Sequence, residues 1–265
     1  MPLPLFHLNA FTAKPFTGNP AAVCPLAGWL DDERLRAVAA ESNLSETAFF
    51  VPRGDDYELR WFTPRCEVKL CGHATLASAW VILRKLEPER DSIRFETRFS
   101  GALTVCREDS LLAMDFPALP PWKCVNPPAA LIEGLGNGGQ APSEMMQIED
   151  NFFVVYEREQ EVKAMRPNLR LPEKLHPAGV AITARGDNSD FVSRYFAPSY
   201  GIPEDPVTGS THCSLAPYWA QRLCKTTLHA RQVSERGGEV WCEVKNDRVL
   251  LKGNAVLTLR GELLI

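Results

Sequence analysis

Two stretches of this chain carry the same kinds of residue in the same order, and that echo restricts the fold more than any other feature. Phe49 to Leu86 and Ala181 to Leu223 each read as an apolar strand, an Arg-Gly-Asp turn and a second strand ending Arg-aromatic-Phe-x-Pro. A loop, a glycine-containing turn and an amphipathic helix then follow in both. Arg53-Gly54-Asp55 recurs as Arg185-Gly186-Asp187, and Arg60-Trp61-Phe62-Thr63-Pro64 as Arg194-Tyr195-Phe196-Ala197-Pro198. The offset grows from 132 to 134 residues, as a small loop insertion would produce. Several matches in fixed order before similar helices indicate a duplicated unit. The Arg-Gly-Asp triplets read as turn residues.

The join between halves falls near Phe116-Pro117-Ala118-Leu119-Pro120-Pro121, where clustered prolines stop regular structure, with a looser Gly136-Asn137-Gly138-Gly139 loop after it. Halves of 1–117 and 118–265 follow, the last strand being free to return to the first half. Ser92–Arg107, Ser110–Phe116, Met145–Tyr156, Gly238–Val244, Arg248–Leu251 and Ala255–Leu259 read as strands. Asp31 to Asn43 reads as a helix opened by Asp31-Asp32-Glu33, with Leu35, Val38 and Ala39 on one face. The principal helices are expected near 71–86 and 208–223. The first is apolar along most of its length, which suits a helix buried inside a sheet. The second contains Pro217, which predicts a bend or an early break. The fold class is therefore α+β, a sheet-rich half with one principal helix, twice over.

At 265 residues, 45% hydrophobic and 23% charged, the chain has the make-up of a globular protein. No apolar run reaches the ~18 to 20 residues of a membrane span, and no export signal opens the sequence. Eight scattered cysteines form no disulfide framework and no CxxC pair, so a zinc site is not expected and a reducing cytoplasm is. A net charge of -4 argues against a nucleic-acid surface. No phosphate loop or dinucleotide fingerprint occurs, and no cofactor is indicated. The expected partner is a small molecule, with neither nucleic acid nor membrane.

The two helices open at Cys71-Gly72-His73-Ala74-Thr75 and Thr208-Gly209-Ser210-Thr211-His212. Helix N-termini offer unpaired N–H groups and a partial positive charge, and glycine lets a ligand approach the backbone, so each could hold a carboxylate. Taken alone, each glycine could equally serve only a tight turn. Glu46 stands among Leu44, Ala48 and Phe49, where desolvation would raise its pKa towards the working pH of a proton-transferring group. A solvated strand-edge glutamate is the plainer alternative. Glu204 and Asp205 precede the second helix, where acids suit either the helix dipole or a site.

At these residues the sequence resembles the PhzF family of isomerases related to phenazine biosynthesis. The matching blocks are Phe16-Thr17-Gly18-Asn19-Pro20-Ala21-Ala22-Val23, Leu44-Ser45-Glu46-Thr47-Ala48-Phe49, Phe62-Thr63-Pro64, Leu70-Cys71-Gly72-His73-Ala74-Thr75 and Glu204-Asp205-Pro206-Val207-Thr208-Gly209-Ser210. The resemblance implies a diaminopimelate epimerase-like fold, two pseudo-symmetric halves each curling a sheet around a central helix, with the active site in the cleft between. It implies a cofactor-independent isomerase in which Glu46 shuttles a proton on a small carboxylate-bearing substrate, assisted by His73, Asp205 and Ser210. Asn19, Cys71, Gly72, Thr208 and Gly209 would bind that substrate, no metal is implied, and a homodimer is allowed. Related epimerases use one cysteine before each helix glycine; here Cys71 fills the first place but Thr208 the second, and a threonine hydroxyl is too weak an acid to serve as a base. An amino-acid racemase using Cys71, or a non-catalytic binding protein on the same scaffold, are the alternatives.

Overall fold

The computed structural model describes residues 2–136, 141–149, 151–170 and 179–265. Contacts divide the chain into two compact units, Met1–Asp115 with Lys252–Ile265, and Phe116–Leu251. The Gly-rich loop expected at 136–139 lies, beyond Gly136, outside the described residues.

Unit 1 begins with strands β1 (Leu3–Ala10) and β2 (Asn19–Pro25), helix α1 (Asp32–Ser42), and strands β3 (Glu46–Arg53), β4 (Asp56–Phe62) and β5 (Glu67–Val68). Helix α1 starts where the Asp31 side chain accepts from the Arg34 N–H at 2.8 Å, and ends at Asn43 in the left-handed region. Its Leu35, Val38 and Ala39 pack with Cys24, Phe49 and Phe62. Helix α2 (Gly72–Val81) follows and runs on into a π turn, Ile82–Leu86. Strands β6 (Ser92–Thr97), β7 (Gly101–Glu108) and β8 (Leu111–Pro117) come next. The β candidate at 92–107 is thus a hairpin, its turn lying between Thr97 and Gly101. Thr97 Oγ1 donates to Gly101 O at 2.7 Å across its turn, and Gly101 takes φ +68°.

Helix α2 is almost wholly buried and touches β1, β2 and β3. Two polar side chains survive there because each bonds back along the helix. Thr75 Oγ1 donates to Cys71 O at 2.6 Å and Ser78 Oγ to Ala74 O at 2.8 Å. In the ladder, β1 and β2 are antiparallel, β2 and β3 parallel, β3 and β4 antiparallel, and β4 and β6 parallel.

Unit 2 contains strand β9 (Trp122–Lys123), helix α3 (Ala129–Leu135), strands β10 (Glu144–Ile148) and β11 (Asn151–Val155), and helix α4 (Glu159–Ala164). Strands β12 (Gly179–Arg185), β13 (Phe191–Ala197) and β14 (Ile202–Asp205), helix α5 (Gly209–Leu223), and strands β15 (Thr227–Gln232), β16 (Gly238–Lys245) and β17 (Arg248–Gly253) complete it. β17 carries the chain back to unit 1, where β18 (Ala255–Leu263) pairs antiparallel with β1. Gly253 is needed on that path, since a Cβ there would lie 2.6 Å from Phe11 Cδ1.

The units share one connectivity. The β1–β2, parallel β2–β3, β3–β4, β4–β5 and parallel β4–β6 pairings recur as β10–β11, β11–β12, β12–β13, β13–β14 and β13–β15. Both Arg-Gly-Asp triplets turn the equivalent hairpin. The Arg in each Arg-aromatic-Phe motif grips a glutamate with two hydrogen bonds, Arg60 to Glu67 at 2.7 and 2.8 Å, and Arg194 to Glu204 at 2.7 and 2.9 Å. Each guanidinium also lies over the following phenylalanine, 5.0 Å from Phe62 and 4.9 Å from Phe196.

Helix α5 does not break at Pro217 as expected, but continues unbroken to Leu223. A proline leaves the carbonyl four residues before it without its helical donor, here Cys213 O. That carbonyl instead accepts the Leu119 N–H at 2.9 Å, so the proline-rich connector supplies the missing bond.

Candidate active site

In unit 1, Glu46, Cys71, His73, Asn19 and Ser45 converge. The positions follow from backbone pairing. Gly18, at φ +70°, lies so near Ala10 O that a Cβ would fall 2.3 Å from it, and this tight turn starts β2 at Asn19. Glu46 opens β3 opposite Ala21 of the parallel β2. Cys71 is the extended residue before α2, and His73 lies in its first turn.

His73 is the hub. Its Nε2 lies 3.3 Å from Glu46 Oε2 and 3.4 Å from Ser45 Oγ, and its Nδ1 lies 3.2 Å from Asn19 Nδ2 and 3.5 Å from Cys71 Sγ. With the Asn19 amide donating to Nδ1, the ring proton sits on Nε2 and points at the carboxylate. The His73 side chain is 7% exposed and that of Glu46 13%. Burial pushes the Glu46 carboxyl above its ordinary value, and hydrogen bonds from Ser45 and Cys71 offset part of that rise. The cluster therefore holds a carboxyl group that takes and keeps a proton more readily than a surface glutamate.

In unit 2, Asp205, Thr208, Gly209 and Ser210 meet at the start of α5. Asp205 ends β14, and its Oδ2 accepts the Thr208 hydroxyl at 2.5 Å. The Thr208 side chain is thereby turned from the helix, and no side chain caps the first turn of either α2 or α5. Ser210 is exposed, whereas Asp205 and Thr208 are buried. His212, one turn on, is fully buried; its Nδ1 bonds Thr208 O at 2.8 Å, and burial lowers its pKa to about 4. It is a neutral structural group.

Two members were not singled out from sequence. Ser45 stands inside the Leu44-to-Phe49 block, so its signal was present. Gln232, buried at the end of β15, accepts the Thr208 N–H at 2.9 Å and donates to Asp205 O at 2.7 Å, bracing the turn before α5. It also donates to Thr208 Oγ1 at 3.2 Å, and nothing near residue 232 marks it, because all of these partners are distant in sequence.

The family model described as PhzC-PhzF, phenazine biosynthesis-like protein, matches residues 8–261. A protein of Pseudomonas aeruginosa named as an uncharacterized isomerase is 53% identical over 99% of each chain. The crystal structure of a PhzF-family phenazine biosynthesis protein from Enterococcus faecalis matches with a TM-score of 0.95 and 41% identity, covering 100% of both chains. A hydroxyproline epimerase from Agrobacterium vitis matches at a TM-score of 0.59 over 99% of this chain and 92% of its own; at 10% identity that likeness is of fold alone. The architecture is accordingly the α+β, diaminopimelate epimerase-like one.

Proposed function

The chain belongs to the phenazine biosynthesis-like PhzC-PhzF family and is an isomerase, and on that premise we propose that Glu46 moves a proton on a small carboxylate-bearing substrate. The observation that carries this reading is the buried Glu46 carboxyl, raised in pKa and set 3.3 Å from His73 Nε2. As carboxylate, Glu46 takes a proton from a carbon beside an electron-withdrawing group. The C–H electron pair passes into that group as an enolate-like system, and the proton rests on the Glu46 carboxyl. Return of the proton to a different carbon completes an isomerisation without cofactor or redox change. His73, held in one tautomer by Asn19, steadies the carboxylate with its Nε2–H and shares the negative charge.

The uncapped starts of α2 and α5 suit anions, through the N–H groups of Gly72 and His73 and of Gly209 and Ser210 respectively. Asp205 acts by holding Thr208. Within unit 1, the start of α2 offers the carboxylate contact beside Glu46. Incorporation of solvent deuterium into a substrate found by screening small carboxylates tests the assignment. Glu46→Gln should cut exchange by roughly 10² to 10⁴ with binding nearly preserved.

A thiol-based reading has one observation in its favour, the hydrogen bond between Cys71 and Glu46 that places the thiol within the cluster. It lacks the second thiol, since Thr208 stands there and gives its hydroxyl proton to Asp205. Normal exchange in Glu46→Gln with none in Cys71→Ala would establish it over the carboxylate mechanism.

A further inference from the structure

Glu46, Cys71 and His73 bring one oxygen, one sulfur and one nitrogen donor to a single point. Their ligand atoms all lie within 4.8 Å of one another, and the two separations from His73 Nε2 are 3.3 Å to Glu46 Oε2 and 4.0 Å to Cys71 Sγ. Around a tetrahedral ion with bonds of about 2.0 to 2.3 Å, neighbouring donors stand roughly 3.3 to 3.7 Å apart. The Glu46–Nε2 pair already has that spacing, whereas Cys71 Sγ, 3.5 Å from Nδ1 and 4.0 Å from Nε2, must swing towards the Nε2 side to complete it. All three donors come from ordered elements, the start of β3 and the first turn of α2, with Cys71 and His73 buried.

The surroundings fit as well. A histidine ligating through Nε2 carries its proton on Nδ1 and needs an acceptor there. Asn19 faces Nδ1 at 3.2 Å, and a half-turn of its amide exchanges the donor now presented for the carbonyl oxygen. The mixture of thiolate, imidazole and carboxylate selects a borderline ion such as Zn²⁺ or Co²⁺ over Mg²⁺ or Ca²⁺, which want six or more oxygens. Three protein ligands leave a fourth position open.

The geometry points to a divalent transition-metal site formed by Glu46, Cys71 and His73, whose occupation inhibits the protein. On binding, the Cys71 S–H bond breaks, its proton passes to solvent, and sulfur, Nε2 and a Glu46 oxygen each donate a pair to the ion. The Nε2 proton moves to Nδ1 through solvent in the same exchange. With one oxygen on the ion and the basicity of the other lowered by the ion's charge, Glu46 is a poorer base, and His73 has no free Nε2. Binding stands independently of the catalytic reading; the inhibition rests on it.

The test titrates the purified protein with Co²⁺ in a thiol-free reductant. One equivalent should produce a near-ultraviolet thiolate-to-cobalt charge-transfer band, displaced by Zn²⁺ but not by Mg²⁺. Removing the two exposed cysteines as Cys66→Ser with Cys224→Ser should leave the band in place. Cys71→Ser should abolish it, and Glu46→Gln, which retains its shape, should weaken Co²⁺ binding at least about tenfold, since even outer partners of a metal site are worth 10–100-fold. Absence of the band in the unaltered protein, its persistence in Cys71→Ser, or its loss with Cys66 and Cys224 would overturn the site. Deuterium exchange that continues with one equivalent of Zn²⁺ bound would overturn the inhibition alone, and exchange abolished by Glu46→Gln in metal-free protein separates that result from failure of the catalytic assignment.

Discussion

Replacing Glu46 by glutamine should make the protein more stable, and increasingly so as pH rises above the ordinary carboxyl range. Burial holds the Glu46 pKa above its ordinary 4.5, outweighing the hydrogen bonds from Ser45 and Cys71. Between the unfolded and folded pKa values the native state therefore binds one proton more than the unfolded chain, and its stability falls with rising pH. The slope follows from the stoichiometry: one extra proton costs about 1.4 kcal/mol for each pH unit inside that window, and nothing further beyond the folded pKa. The amide of the Glu46→Gln variant has no such proton, keeps an oxygen facing the Nε2–H of His73, and escapes the cost. Thermal scans of both proteins from pH 4 to pH 8 read the difference, at roughly 2 to 4 °C per kcal/mol for a chain of this size. Subtracting one curve from the other cancels the groups common to both. If instead His73 carries the proton and forms an ion pair with a Glu46 carboxylate, the substitution strands a buried imidazolium and destabilises by about 3 to 5 kcal/mol. A variant less stable than the parent at neutral pH, or a difference flat in pH, refutes the reasoning.

Cys71→Ala should leave solvent-deuterium exchange nearly unchanged, whereas His73→Ala and Asp205→Asn should each lower it, as rates on a verified substrate will reveal. Leu119→Pro removes the N–H that serves Cys213 O, and urea unfolding should register a loss of about 1–3 kcal/mol. Adding Pro217→Ala, which returns an intrahelical donor to the same carbonyl, should recover much of it; no recovery would show that the Leu119 bond is not the source. Gly253→Ala forces a methyl against the Phe11 ring, with an expected cost of about 1–3 kcal/mol in the same assay.

The duplication was legible because it repeats in side chains that the fold uses twice. Arg60 and Arg194 recur since each must grip a glutamate and cover a phenylalanine in the same place. Glu46, His73 and Asn19 were legible through their motif blocks, although 54 residues separate Asn19 from His73 and the packing of α2 against β2 is what joins them. Pro217 misled because a helix-breaking residue advertises the bond it removes and not the donor that replaces it, which here comes from Leu119. Gln232 was silent for the related reason that a buried amide whose partners lie 24 to 27 residues away leaves no local pattern. The hairpin at 98–100 has one local mark, Gly101, whose positive φ is the feature that lets the chain turn within an otherwise continuous strand pattern.

Unit 1 is made of two pieces of chain, with all of Phe116–Leu251 lying between them. Because β18 pairs with β1 along its length, from Leu3 opposite Leu263 to Ala10 opposite Ala255, one edge of β1 waits for a partner that the ribosome delivers only after unit 2 has been made. During that interval the nascent β1 presents a row of unsatisfied backbone groups, the kind of edge on which neighbouring chains can pair. Unit 2, encoded without interruption, has no such delay. Vectorial synthesis thus sets the order of assembly, with the half that carries Glu46 and His73 closing last, and a ribosome stalled before residue 255 would display an incomplete sheet beside those two residues.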